Sequence, residues 1–203
     1  MDWLYYENLY GNNGEKLVCG VDEAGRGPLA GRVYSAAVIM PHGLIIEGVN
    51  DSKKLSEKKR NALFEKITES AVSYGIAWAD EKEIDEVNIL QATYLAMKRA
   101  VDGLKIKPDV ILVDGNRLPN FGMPAKAIVK GDSLSHSIAC ASILAKVSRD
   151  NYICEEAKKY PEYLFEKHKG YGTKAHVEAL KKYGPSPIHR KTFLKKIFKE
   201  ESF

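Results

Sequence analysis

Cysteine is scarce in this chain: Cys19, Cys140 and Cys154 are odd in number and widely separated. No CxxC pair occurs, so neither a thiolate zinc site nor a disulfide framework is indicated. The three are expected to be small buried fillers in a reducing compartment. Long apolar runs are also missing; none approaches the roughly 20 residues that span a bilayer. The N-terminal stretch Met1-Asp2-Trp3-Leu4-Tyr5-Tyr6 has no basic flank and no long apolar segment, so no signal peptide is expected and the cytoplasm is the expected compartment. No repeat or low-complexity tract interrupts the 203 residues.

What is present suits one domain, or one domain with a small helical appendage. Hydrophobic residues make up 44%, enough for a real core. The net charge of +4 says little until it is divided. Residues 158–203 carry 12 Lys/Arg and 5 Asp/Glu, leaving 19 and 22 for residues 1–157. An acidic body (1–157) followed by a basic segment (158–203) suits a site that gathers cations beside an arm that holds phosphates. A solvated lysine-rich helix face is the plainer alternative.

The pattern alternates strands and helices. Leu17–Asp22, Val33–Met40, Ser73–Ala79, Asp109–Asp114 and Ala125–Lys130 read as strands. The unbroken apolar run of Val110 to Val113 suits an interior strand covered on both faces. Ser56 is a natural cap for a helix holding Leu63 and Ile67. From Asn88 onward, Leu90, Tyr94, Met97, Val101 and Leu104 form one apolar helical stripe, which is core packing. A small-residue helix is expected from Ser133 to about Tyr160, capped by Asp132 or Ser133. Thr173 begins a helix that Gly184 ends, and a last basic helix contains Lys191, Lys195, Lys196 and Lys199. The expected fold is α/β, a mixed central sheet flanked by helices with a C-terminal helical appendage.

Residues 18–31, Val-Cys-Gly-Val-Asp-Glu-Ala-Gly-Arg-Gly-Pro-Leu-Ala-Gly, organise the rest. The first strand ends in adjacent carboxylates. Neighbouring strand residues point to opposite faces, so Asp22 and Glu23 cannot both enter a core. One must meet water, a cation or a ligand. Gly25-Arg26-Gly27 follows, a turn that another backbone can approach closely. The pattern reads as a metal centre beside a phosphate or sugar contact, or as a tight hairpin with solvated acids.

Further motifs follow in order: Asn50-Asp51-Ser52-Lys53-Lys54-Leu55, Val113-Asp114-Gly115-Asn116, Lys130-Gly131-Asp132-Ser133, Ala141 to Asp150, and His168-Lys169-Gly170-Tyr171. Together with Asp22 to Gly31, this set resembles the bacterial ribonuclease HII family over about Val18 to Phe193. Arg32 departs from the family pattern, which usually has proline there; it either loosens the turn or adds a phosphate contact. The resemblance implies a ribonuclease H-like fold. It also implies an acidic quartet, Asp22, Glu23, Asp114 and Asp132, that is both catalytic and metal-binding.

No histidine or cysteine accompanies those acids in sequence, and all-oxygen ligation selects Mg²⁺ or Mn²⁺ over zinc. Two such ions are the usual clamp for in-line displacement at phosphorus. The resemblance further implies that Gly25, Arg26, Gly27 and Tyr171 read the ribose at an RNA-to-DNA junction. The implied activity is endonucleolytic cleavage of RNA in RNA–DNA hybrids and 5′ of single ribonucleotides in duplex DNA. Such an enzyme serves DNA repair and replication and leaves 5′-phosphate and 3′-hydroxyl ends. Lys53, Lys169 and Arg190 are expected to hold the phosphate backbone, and the protein is expected to be a monomer. Asp150 is either a further ligand or the partner of a neighbouring Arg or Lys. Two other classes compete. A non-catalytic nucleic-acid binder would leave four acids repelling phosphates. A glycoside hydrolase needs opposed carboxylates, which adjacent Asp22 and Glu23 do not supply.

Overall fold

A computed structural model describes residues 2–195, 197 and 198. Five strands form one mixed sheet: β1 (Val18–Ala24), β2 (Val33–Ile39), β3 (Ser73–Ala79), β4 (Val110–Asp114) and β5 (Ala125–Ile128), in the order β3-β2-β1-β4-β5. β2 pairs antiparallel with β1 and β3. β4 runs parallel to β1 and to β5. The helices are α1 (Tyr5–Gly11), α2 (Glu57–Ser70), α3 (Glu81–Asp102), α4 (His136–Lys159), α5 (Phe165–His168), α6 (Lys174–Tyr183) and α7 (Lys191–Leu194).

The sheet is covered on both faces, which is why all of β2 is buried. Ala36 and Val38 pack with Leu63 and Ile67 of α2 and with the small residues Ala139, Ala141 and Ala145 of α4. The alternate residues Ala37 and Ile39, with Val21, Ile111 and Val113, pack against Met97 and Ala100 of α3 and Leu104 just beyond it. Each large aliphatic chain so buried contributes roughly 1.5–3 kcal/mol. A Cβ at Gly20 would overlap the backbone of Ser137 and Ile138, so this glycine lets α4 lie directly on β1. Ser56, Thr173 and Gly184 end their helices as their chemistry requires.

Several elements differ from the sequence expectation, each for a physical reason. α3 starts at Glu81, seven residues before Asn88, because Asp80 and Glu83 form a reciprocal capping box. Asn88, at φ 71°, then breaks the helix and recaps it by accepting the N–H groups of Leu90 and Gln91. Ser135, not Asp132 or Ser133, caps α4. As expected, the helix runs to about residue 160, ending at Lys159; its Ile153 and Ala157 join Phe165, Leu180, Ile188 and Leu194 in one core. The last basic helix is a single described turn; Lys196 and Lys199 lie outside the described residues. Among the described residues no helix is long and apolar enough to cross a membrane. Cys19 and Cys140 are buried and free, whereas Cys154 is half-buried.

Candidate active site

Val21 pairs with Val113 across the parallel β1–β4 ladder. The next residues, Asp22 and Asp114, therefore lie side by side at the carboxyl ends of adjacent strands. β5 then leads through a left-handed Lys130 into a single 3₁₀ turn, Gly131–Ser133, which carries Asp132. The turn is fixed by Asp114, whose Oδ1 accepts the N–H groups of Gly131 at 2.7 Å and Asp132 at 3.4 Å. As a result, carboxylate oxygens of Asp22, Asp114 and Asp132 all lie within 4.8 Å of one another. Glu23 lines the same cleft but is not one of the three; it accepts a hydrogen bond from Arg26 Nη1 at 3.4 Å.

Crowded acids resist ionisation. Burial, then the charges of Glu23 and Asp114, push Asp22 well above the usual carboxylate range, against the Glu23 N–H and the Ser142 hydroxyl. Burial also raises Glu23, opposed first by Arg26. Asp114 is raised by burial and by Asp132. One ammonium reaches the group: Lys53 Nζ is 3.5 Å from Asp132 Oδ2. Lys53 is aimed there by a short 3₁₀ turn that Asp51 caps, and Ser52 ties the turn to Ser142 of α4 at 2.8 Å. Three convergent carboxylates with a single lysine are under-neutralised. Among the described residues no histidine or cysteine joins them. That donor set fits hard divalent cations.

The cleft, about 260 Å³, continues from Asp22, Glu23 and Asp114 past the Gly25–Gly27 turn to Lys146 and Tyr171. Gly25 has φ 97° and a Cβ there would strike the Arg149 side chain. Tyr171, 46% exposed, brings its ring 3.5 Å from where a Gly27 Cβ would stand. Lys53, Gly25, Arg26, Gly27 and Tyr171 thus share one cleft with the acids.

Arg190 does not join them on the surface. It is fully buried and donates to the carbonyls of Gly25 at 2.6 Å, Pro28 at 2.8 Å, Gly31 at 2.8 Å and Arg26 at 3.0 Å. Its place is beneath the turn rather than against a phosphate, because a turn with so many inward carbonyls needs a planar multiple donor. Lys169 is half-buried and donates to Cys154 Sγ at 2.9 Å. Asp150 is engaged by Lys146 at 2.7 Å and by Arg60 and Arg149 at 3.8 Å, the pairing alternative. Arg32 stands between the rings of Trp78 and Tyr152, at 5.0 and 4.6 Å. Lys146 and Arg149, within the Ala141 to Asp150 motif but not among the expected site residues, also line the cleft. Their signal was spacing: Ser142, Lys146 and Arg149 fall on one helical face.

Acidic residues at the carboxyl ends of neighbouring parallel strands, in a mixed sheet of this order beside a basic cleft, define a metal-dependent hydrolytic nuclease with a ribonuclease H-like fold. A sequence model described as ribonuclease HII matches residues 19–200. The chain is 62% identical to ribonuclease HII of Caldicellulosiruptor bescii over 92% of this chain and 90% of that protein. It is 58% identical to that of Caldicellulosiruptor saccharolyticus over 95% and 94%. The crystal structure of ribonuclease H2 from Pyrococcus horikoshii superposes with a TM-score of 0.74 at 31% identity, covering 90% of this chain and 97% of that one. The chain belongs to the ribonuclease HII family.

Proposed function

We propose that this enzyme cuts the RNA strand of RNA–DNA hybrids and incises duplex DNA on the 5′ side of an embedded ribonucleotide, leaving 5′-phosphate and 3′-hydroxyl ends. The observation that carries the proposal is the meeting of the Asp22, Asp114 and Asp132 carboxylates at the edge of the cleft that Asp22 and Asp114 line and whose far wall is the Gly25–Gly27 turn and Tyr171. Those three acids, with Glu23, would hold two Mg²⁺ or Mn²⁺ ions. Bound there, the ions would lower the pKa of a water so that it attacks phosphorus as hydroxide, and would supply charge to stabilise the departing 3′-oxygen.

The chain's own residues supply the rest. The backbone amides of the Gly25–Gly27 turn meet the sugar: Gly27 leaves no Cβ beside Tyr171, and Gly25, whose Cβ would strike Arg149, turns the chain at φ 97°. Tyr171 offers a ring for stacking and a hydroxyl for the 2′-oxygen, the atom that separates RNA from DNA. Lys53 faces the phosphate next to the acids. Residues after the α4 helix form the appended arm, whose lysines follow the backbone beyond the cleft. The enzyme acts as a monomer in the cytoplasm.

The test is cleavage of a DNA duplex containing one ribonucleotide, with the product ends mapped. Incision at the 5′ side of the ribonucleotide supports the reading. Incision at its 3′ side, or equal cutting of an all-DNA duplex, rules it out.

A further inference from the structure

Behind Tyr171 lies a chain of histidines that no step above uses. His176 Nδ1 is 2.9 Å from the Tyr171 carbonyl oxygen, and His176 Nε2 is 2.9 Å from His189 Nε2. His189 Nδ1 in turn meets both the Ser186 N–H and the Ser186 hydroxyl at 2.8 Å; the hydroxyl can turn its proton either way, so the N–H sets the polarity. Both ends of this chain have fixed polarity, since a backbone N–H only donates and a carbonyl only accepts. His189 Nδ1 must therefore accept, so its proton sits on Nε2 and is donated to His176 Nε2. His176 must then carry its proton on Nδ1 and donate it to Tyr171. A proton added to either ring sets two N–H groups against each other.

The same histidines hold the loop that Tyr171 belongs to. His168 stacks on His176 with ring centres 4.5 Å apart. It accepts the Gly170 N–H at Nδ1, 3.2 Å, which leaves its Nε2–H to donate to the Tyr163 carbonyl at 2.8 Å. Gly170 accepts the Leu29 N–H at 2.9 Å, which joins the loop to the far side of the glycine turn. His189 is followed by Arg190, which holds that turn from below. Two consecutive residues thus fix the two walls of the cleft, one through His176 and one directly.

We infer that His176 and His189, as neutral rings of opposite tautomer, are positioning residues that hold Tyr171 against the Gly25–Gly27 turn and so set the fit for a ribose. This rests on the reading of Tyr171 given above. Burial supports it: His176 is pushed down to about 4 and His189 to about 3, the latter helped by His176. The rings that pack around them are Tyr163 and Phe165, which favour the uncharged forms.

Two measurements on the full chain test it. Long-range ¹⁵N–¹H spectra of the wild-type protein at neutral pH are expected to show His176 protonated on Nδ1 and His189 on Nε2; the opposite tautomer or a charged ring at either position overturns the relay. In kinetics on the single-ribonucleotide duplex, His176→Phe keeps the ring volume but loses the donor. It is expected to lower kcat/KM by roughly five- to tenfold, the worth of one hydrogen bond. His176→Asn restores a donor near the Nδ1 position and is expected to recover most of that loss. Adding Tyr171→Ala to His176→Phe is expected to cost less than the product of the two single losses, because both act through one group. Multiplicative losses, or no rescue by Asn, overturn the inference. If Tyr171→Ala alone is impaired and His176→Phe is not, this inference falls and the ribose reading stands. If Tyr171→Ala is itself silent, both fall. Should His176→Phe not fold, the wild-type tautomers decide.

Discussion

Asp114 accepts the backbone N–H of Gly131 at 2.7 Å, so one acid of the proposed site builds the turn that delivers another, Asp132. The two roles separate by substitution. Asp114→Asn keeps an acceptor oxygen for the turn but removes the charge. It should abolish cleavage in magnesium while melting within a few degrees of wild type. Asp114→Ala also loses the acceptor and should be destabilised by about 1–3 kcal/mol. Retained turnover in a normally melting Asp114→Asn variant would take Asp114 out of the chemistry.

The crowded acids make the metal-free protein sensitive to pH. Burial and neighbouring charge raise Asp22 above its ordinary 3.8. Between that value and the raised one, the native state holds a proton that the unfolded chain has released, so stability falls as pH rises through the window. Asp22→Asn keeps the acceptor for the Glu23 N–H, 2.7 Å in the wild type, and removes the charge. In chelator at neutral pH it should melt higher than wild type, with the gap closing toward pH 4. Added magnesium should raise the melting temperature of wild type more than that of the variant. A lower melting temperature for Asp22→Asn in chelator would contradict this picture of the site.

Arg190 should behave as part of the scaffold. Arg190→Lys replaces a planar fork with a compact ammonium that cannot span carbonyls from Gly25 to Gly31. A loss of about 3 kcal/mol or more in urea unfolding is expected, with activity falling alongside. The salt dependence of substrate binding should stay as it was, whereas loss of a phosphate contact would make it shallower. A stable Arg190→Lys protein with a shallower salt slope would return Arg190 to the phosphate backbone.

Tyr171 can be divided into ring and hydroxyl. Tyr171→Phe keeps stacking and should lose roughly five- to tenfold on a single embedded ribonucleotide if the hydroxyl meets the 2′-oxygen. Tyr171→Ala should lose more. A long hybrid offers many registers and should suffer less from either change. Equal rates for all three proteins on both substrates would remove the tyrosine from recognition.

Much of the fold was legible because its signals are local. Val110 to Val113 announces a doubly covered strand, and Ser56, Thr173 and Gly184 mark helix ends by their own chemistry. The acids that the fold gathers, Asp22, Asp114 and Asp132, were legible as a group because each closes a strand or precedes a helix. What was not legible depends on long-range partners. Nothing local says that Ser135 will cap α4; Glu7 of α1, accepting from Ser135 and Ser137, holds that end of the helix from outside. Arg190 reads as one more cation in a basic segment until the fold wraps carbonyls around it. The histidines look like isolated residues until packing aligns their nitrogens.

The most direct test of the central claim is cleavage of the single-ribonucleotide duplex by the wild-type enzyme, followed with magnesium present and with magnesium removed by EDTA. Incision that requires the metal and returns when magnesium is restored is the predicted result. Incision at an unchanged rate in EDTA would contradict it, since the gathered carboxylates would then have no cation to hold.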